Sequence, residues 1–290
     1  MSSKVLVLGI DGATFTLLKP WVEQGKLPNL ARVLQEGAHG SLRSTIPPYS
    51  AQAWCSMMTG KGPAKHGVVD FFQRQAGNMQ QAFVTSTRIQ GEAIWDTLGR
   101  HGKRVGAVNV PLTYPPVQAG AGGYMVSGFM TPKGREDYTY PRELRQEILA
   151  LTGEYNPDPW DLLTPDQGLP SFVRWMDVFE QVARYLHERH PADVYINVIQ
   201  ALDQLQHTFW DLISDEAEPP PPDGAAPPRA DGAARSGPQG ARFWPLIERC
   251  YQSMDQAIGQ RLGWLDADTT LFLVSDHGFQ HVDSWFHVNR

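Results

Sequence analysis

The stretch Lys4-Val5-Leu6-Val7-Leu8-Gly9-Ile10, closed by Asp11-Gly12, decides how the chain is read. It is apolar almost throughout, without the alternation of a half-exposed strand, which is the pattern of a parallel strand covered on both faces. Two further runs share that character, Asp193–Ile199 (DVYINVI) and Thr269–Ser275 (TTLFLVS), and Arg104–Val110 (RVGAVNV) is a fourth candidate. Helical periodicity falls between them. It is short at Thr14–Gln24, Leu30–Gln35 and Ala93–Arg100, and long and amphipathic at Pro170–Glu188 and Phe243–Leu262. Strands alternating with helices predict an α/β fold with a central, mostly parallel sheet flanked by helices.

Around this frame the 290 residues are 41% hydrophobic and 19% charged, with a formal charge of −6. That is enough chain to bury a sizeable core. The acidic balance argues against a nucleic-acid polymer or an anionic membrane as partner, since both attract basic surfaces. Cys55 and Cys250 cannot build a disulfide framework, which fits a reducing, cytoplasmic setting. Val5–Ile10 is shorter than the ~7–15-residue core of a signal peptide, and no stretch reaches the ~18–20 apolar residues of a membrane span. One segment stands apart. Ser214–Gly240 holds seven prolines and four glycines in 27 residues, a composition that predicts a disordered surface insertion.

Acidic residues fall where the strands end. Asp11 follows the first run directly, Asp203 follows the second by a few residues, and Asp276 follows the third. In open α/β sheets ligands bind beyond the carboxyl ends of the strands. Carboxylates gathered at one edge repel each other unless positive charge sits among them, and a metal ion supplies it. Asp203 and His207 are spaced i, i+4 and so share one helix face. Gly278, after Asp276-His277, permits a turn that brings both side chains to one side. Mixed carboxylate and imidazole ligands suit zinc or manganese better than calcium. Each residue also has a plainer reading: Asp11 as the cap of the next helix, Asp203-His207 as a hydrogen bond on a helix surface. The coincidence with strand ends is what points to metal.

Ile46-Pro47-Pro48-Tyr49-Ser50-Ala51-Gln52-Ala53-Trp54 adds a hydroxyl. The Pro-Pro pair continues neither strand nor helix, and Ser50 then opens an apolar helical stretch ending near Thr59-Gly60. Ser50 is either an N-cap or a nucleophile. A hydroxyl at a helix N-terminus, beside a metal, is placed to ionise and attack phosphorus. His66, and Asn109 at the end of the fourth candidate strand, are candidate substrate-binding residues, although both also admit a structural role. Cys55 reads as a small buried hydrophobe.

Taken in order, Gly9-Ile10-Asp11-Gly12, the Ser50 helix with Thr59-Gly60, Pro63-Ala64-Lys65-His66-Gly67-Val68, Asp203-x-x-x-His207 and Ser275-Asp276-His277-Gly278-Phe279 resemble the alkaline phosphatase superfamily, in its type I phosphodiesterase/nucleotide pyrophosphatase-like branch. The resemblance spans nearly the whole chain outside the proline-rich segment. It implies an alkaline phosphatase-like fold and two divalent metal ions, one on Asp11, Ser50, Asp276 and His277, the other on Asp203 and His207. It further implies a small phosphorylated substrate, hydrolysed at a phosphodiester or pyrophosphate bond by in-line attack of Ser50 through a phospho- or nucleotidyl-serine.

Two departures from the family pattern accompany the resemblance. The family's further histidine ligand, late in the domain, has no clear counterpart: only His281 and His287 lie beyond Asp276-His277, and both come early in the family's order. The expectation is a catalytic domain over residues 1–290 that is shortened at its C-terminus. The asparagine that such members carry after the His-Gly motif is Phe71 here, which cannot donate a hydrogen bond to a phosphoryl oxygen. Neither Ser50 nor Cys55 stands in the C/S-x-P-x-R sequence of a sulfatase. No arginine sits beside Ser50 to grip the extra charge of a monoester, which favours diesters. A phosphomutase, and a non-catalytic member binding metal and a phosphorylated ligand, are the alternatives.

Overall fold

The structure, a computed structural model, describes residues 4–74, 81–158, 169–217 and 238–280. Strand β1 (Lys4–Ile10) leads into helices α1 (Phe15–Glu23) and α2 (Pro28–Glu36), and a loop then reaches α3 (Ser50–Thr59) and the short α4 (Pro63–His66). An antiparallel ribbon of β2 (Phe72–Arg74) and β3 (Gln81–Phe83) precedes α5 (Ile94–Arg100) and β4 (Val105–Val110). Next come β5 (Tyr124–Ser127), β6 (Thr139–Tyr140), α6 (Leu144–Thr152) and α7 (Leu169–Arg189). They are followed by β7 (Val194–Ile199), α8 (Ala201–Ala217), α9 (Pro238–Gly263) and β8 (Thr269–Val274).

Six strands form one sheet in the order β6-β5-β4-β7-β1-β8, parallel throughout except for the β5–β6 pair. The period of two along β1 explains its double cover. Leu8 and Ile10 pack with Trp21, Leu205, Met254 and Ile258 from the helices on one face. Val5 and Val7 belong to the other face, where Trp54, Cys55 and Met58 of α3 and Trp95 of α5 meet Ile196 and Val198. Such burial on two sides is why these strands read as unbroken apolar runs. Strand β8 departs from that reading. Among the described residues only β1 pairs with it, and Phe272 is 55% exposed, so this apolar run is an edge strand covered on one side.

Two buried polar contacts lock the helices in place. Helix α2 begins at Pro28, and Leu27 before it supplies no side-chain cap. Asp255 of α9 does so instead, accepting from the backbone N–H of Asn29 at 3.1 Å, of Leu30 at 2.8 Å, and from Asn29 Nδ2 at 2.8 Å. It thereby satisfies free N–H groups of the first turn. Gly259 makes the approach possible, because a Cβ there would lie 2.7 Å from the Asn29 side chain. Arg261, one turn beyond Ala257 on α9, is fully buried; it donates to Asn197 Oδ1 at 2.7 Å and pairs with Glu180 of α7. Burial pushes its pKa down to about 9.

Of the segment Ser214–Gly240, residues 218–237 lie outside the described residues. At its two ends α8 continues to Ala217 and α9 starts at Pro238, so helix reaches further into it than its composition suggests. Ser, Asp, Glu and Ala at the first of these ends all continue a helix at small cost. His281 and His287 also lie outside the described residues. Among the described residues no helix is long and apolar enough to cross a membrane. Asp255→Ala is expected to lower the free energy of unfolding by about 1–3 kcal/mol, since it leaves buried N–H groups of α2 unpaired. Urea titration checks this, and an unchanged midpoint would contradict the capping role.

Candidate metal and nucleophile site

The sheet order delivers the acidic residues to one place. β1 and β8 are neighbours, so Asp11 and Asp276 leave the sheet side by side, and α8 starts directly after β7 to bring in Asp203. Gly12 holds a left-handed φ of +67°, and its N–H donates to Asp276 Oδ1 at 3.3 Å. A Cβ at this position would lie 3.0 Å from Asp203 Oδ1. Conformation and space both require glycine here. The capping readings of Asp11 and Ser50 do not describe what these side chains do. Thr14 caps α1 in place of Asp11, and Tyr49 precedes α3 without a side-chain cap while Ser50 is the first helical residue.

The Ser50 hydroxyl turns into the cluster instead of back onto its helix. It donates to Asp11 Oδ1 at 3.2 Å and lies 2.8 Å from His277 Nε2. His277 Nε2 is in turn 3.4 Å from Asp11 Oδ1, 3.3 Å from Asp276 Oδ2 and 3.9 Å from Asp203 Oδ1. His207 Nε2 lies 3.5 Å from Asp203 Oδ2. The structure therefore brings together Asp11, Ser50, Asp203, His207, Asp276 and His277. A carbonyl oxygen only accepts, so the 2.8 Å contact of His277 Nδ1 with Gly278 O makes Nδ1 the protonated nitrogen. In the neutral ring Nε2 then turns a lone pair into the cluster.

The carboxylates of this corner are withdrawn from the surface. Asp11 is fully buried, and Asp203 and Asp276 are more than nine-tenths buried. Burial pushes all three carboxyls above the usual range; the charge of Asp11 adds to the effect at the other two, and Asp203 is raised to about 8. Burial and then the nearby His277 lower the pKa of His207, which favours the neutral ring. Asp203 Oδ1 and Asp276 Oδ2 have no hydrogen-bond partner among the described residues. One oxygen each from Asp11 and Asp276 and a nitrogen of His277 lie within 4.8 Å of one another, close enough to share a cation.

Two contributors escaped the sequence reading. Trp54 donates its indole N–H to Asp11 Oδ2 at 2.9 Å, and its ring crosses Gly9 so closely that a Cβ there would sit 2.4 Å from it. A lone glycine within a strand is a sign of such an approach, and Trp54 stands one turn after Ser50. Ser44, whose hydroxyl donates to the Asp276 carbonyl at 2.6 Å, carries no sequence signal.

His66 and Asn109 have no hydrogen bond or ion pair to the cluster among the described residues. His66 is fully buried; Nδ1 accepts from the Val68 N–H at 3.2 Å and Nε2 lies 3.0 Å from Ser56 Oγ, which ties the loop after α4 to α3. Asn109 has φ +58° and accepts from the Tyr155 hydroxyl at 2.6 Å. Phe71 packs edge-on against Phe129, ring centroids 5.1 Å apart.

A mostly parallel α/β sheet with carboxylates, imidazoles and a serine hydroxyl gathered at its carboxyl edge defines the class. The chain belongs to the type I phosphodiesterase/nucleotide pyrophosphatase family, whose sequence model matches residues 5–290. Its fold is alkaline phosphatase-like. It is similar to phosphonoacetate hydrolase from Sinorhizobium meliloti 1021, solved with phosphonoacetate, at 16% identity and a TM-score of 0.50, over 88% of this chain and 54% of that one. It is likewise similar to murine ectonucleotide pyrophosphatase/phosphodiesterase 5, whose inactive variant was solved with AMP, at 14% identity and a TM-score of 0.51, over 95% and 57%. The chain thus spans little more than half the length of these structures. No curated protein sequence matches it significantly.

Metal-free protein is expected to lose stability as pH rises from the ordinary carboxylate range near ~4 towards about 8. Over that window the folded state holds protons on the buried carboxyls that the unfolded chain has released. Added divalent metal should restore the thermal midpoint most strongly at the upper end. A midpoint independent of both pH and metal would contradict the electrostatics described.

Proposed function

We propose that this chain hydrolyses small phosphoric esters at diester or pyrophosphate bonds, with Ser50 as the nucleophile. The observation that carries the reading is the Ser50 hydroxyl at the start of α3, 3.2 Å from Asp11 Oδ1 and 2.8 Å from His277 Nε2. The donor set fits two divalent ions. Asp11, Ser50, Asp276 and His277 would hold one, and Asp203 and His207 the other. The buried, unpartnered Asp203 Oδ1 and Asp276 Oδ2 supply lone pairs that call for a cation. Oxygen and nitrogen donors together favour zinc, with manganese as the other candidate. When bound, the ions supply the positive charge that lowers the Ser50 pKa and offsets the charge of the phosphoryl oxygens.

The chain's own groups do the rest. Asp11 Oδ1 and His277 Nε2 both stand within reach of the single Ser50 proton, so either can accept it as the oxygen turns to phosphorus. Ser50 Oγ attacks in line, forming a phospho- or nucleotidyl-serine as the bond to the leaving oxygen breaks. Water then displaces Ser50 from phosphorus. The N-terminus of α3 presents the positive end of its dipole to the developing charge, and Trp54 and Gly12 keep Asp11 and Asp276 from turning away. Phosphonoacetate and AMP, bound in the two similar structures, are small phosphorus oxyanions, which supports a small phosphorylated substrate. The absence of an arginine beside Ser50 favours diesters, and Phe71 leaves nucleotide recognition to other side chains. Residues 1–290 are read as one catalytic domain carrying 214–240 as an insertion. Cys55 and Cys250, both buried free thiols, support a reducing, cytoplasmic location.

Ser50→Ala is expected to lower kcat for bis(4-nitrophenyl) phosphate at least about 10³-fold while the bound zinc measured by elemental analysis stays the same. Undiminished turnover would reject the assignment. Acid-quenched wild type should carry the phosphoryl adduct on the peptide containing Ser50, read by mass spectrometry. Trp54→Phe keeps a ring over Gly9 but removes the N–H, and zinc affinity should fall about 10–100-fold in a chelator competition.

A further inference from the structure

A second cavity, of about 170 Å³, lies between α7, α9 and the carboxyl ends of β4 and β7. None of the six cluster residues lines it, although Ile199, Gln200 and Ala201 on its wall lead directly into Asp203. Six carboxamides face it: Asn109, Gln181, Asn197, Gln200, Gln256 and Gln260. So many amides around one space are unusual for the seam between a sheet and its covering helices, which is otherwise apolar.

Several of these polar atoms have nothing to bond. Asn109 is 3% exposed and its Nδ2 has no partner among the described residues; Ser253, 9% exposed, likewise leaves Oγ unmatched. Gln260 Oε1 is a third. Buried, unmatched donors and acceptors are costly unless something completes them. Asn109 also occupies a left-handed conformation that asparagine tolerates better than most residues, with its other amide end held by Tyr155 at 2.6 Å. Its free end is fixed in direction.

Two of the charged wall residues are ion-paired, and the third, Arg184, is exposed. Asp177 lies 3.7 Å from Arg249, and Glu180 pairs with the buried Arg261. Trp175 and Phe179, ring centroids 4.1 Å apart and tilted by 57°, supply an apolar side. Interleaved neutral donors and acceptors and an aromatic wall suit hydroxyl groups, each of which donates and accepts, on a carbon frame whose C–H faces pack against rings. We propose that this cavity binds a small neutral polyol or monosaccharide, at a site separate from the phosphoryl cluster. Its size is close to that of a ~150 Å³ cavity that admits benzene, which limits the ligand to a single ring or a short polyol.

The test titrates the whole, metal-loaded chain with glycerol, with D-glucose and with inorganic phosphate by calorimetry. At least one neutral probe should bind saturably, and Ser50→Ala should bind it equally, so failure of the hydrolase reading leaves this result untouched. Ser253→Ala and Gln260→Leu, each checked for a native thermal midpoint, should weaken that binding about tenfold. The proposal is overturned if neither neutral probe binds, if phosphate alone binds, or if both cavity variants bind the probe as wild type does.

Discussion

Three carboxyl groups are withdrawn from water at one end of a sheet, each within 3.9 Å of one imidazole nitrogen. Left alone, their mutual repulsion and lost hydration work against the fold, and burial raises the pKa of each. Everything nearby is arranged to hold them there. Gly12 gives a backbone N–H to Asp276 and leaves space for Asp203. Trp54 fixes Asp11 from the same helix that presents Ser50. Ser44 anchors the Asp276 backbone. Such effort on groups that repel is intelligible when a cation completes the set.

The scaffold supplies the rigidity that this placement needs. Positions at the carboxyl ends of β1, β7 and β8 are set by parallel registers that fix each strand against its neighbour. Helices cover both faces of β1, and the buried contacts of Asp255 with α2 and of Arg261 with Asn197 and Glu180 tie α9 to α2, β7 and α7. Strand β7, which leads into the cluster, is therefore held from both α9 and its sheet neighbours. Serine at the head of α3 gains its direction from packing of Trp54 over Gly9, not from the serine itself.

The sheet's long strands and the cluster residues were legible because their signals are local. An apolar run ending at an aspartate needs no partner to be seen, and Asp203 with His207 is a helical spacing. Strands β5 and β6 were not legible, being four and two residues long and too short for periodicity to show. Thr269–Ser275 read as a doubly covered strand because sequence reports apolarity and not which neighbours exist. The contacts of Ser44, Trp54, Asp255 and Arg261 were invisible for one shared reason: each joins residues distant in the chain or depends on a side chain's direction. Asn109, a candidate substrate-binding residue by its place near a strand end, lines the cavity between α7 and α9.

The buried carboxylates and His277 are proposed to form a metal site that orients Ser50. The most direct measurement is anomalous diffraction at the zinc edge from crystals grown with zinc. The account predicts a peak within coordination distance of Asp11, Asp276, His277 and Ser50 Oγ together. An empty cluster in zinc-saturated crystals, with the peak elsewhere, would contradict it.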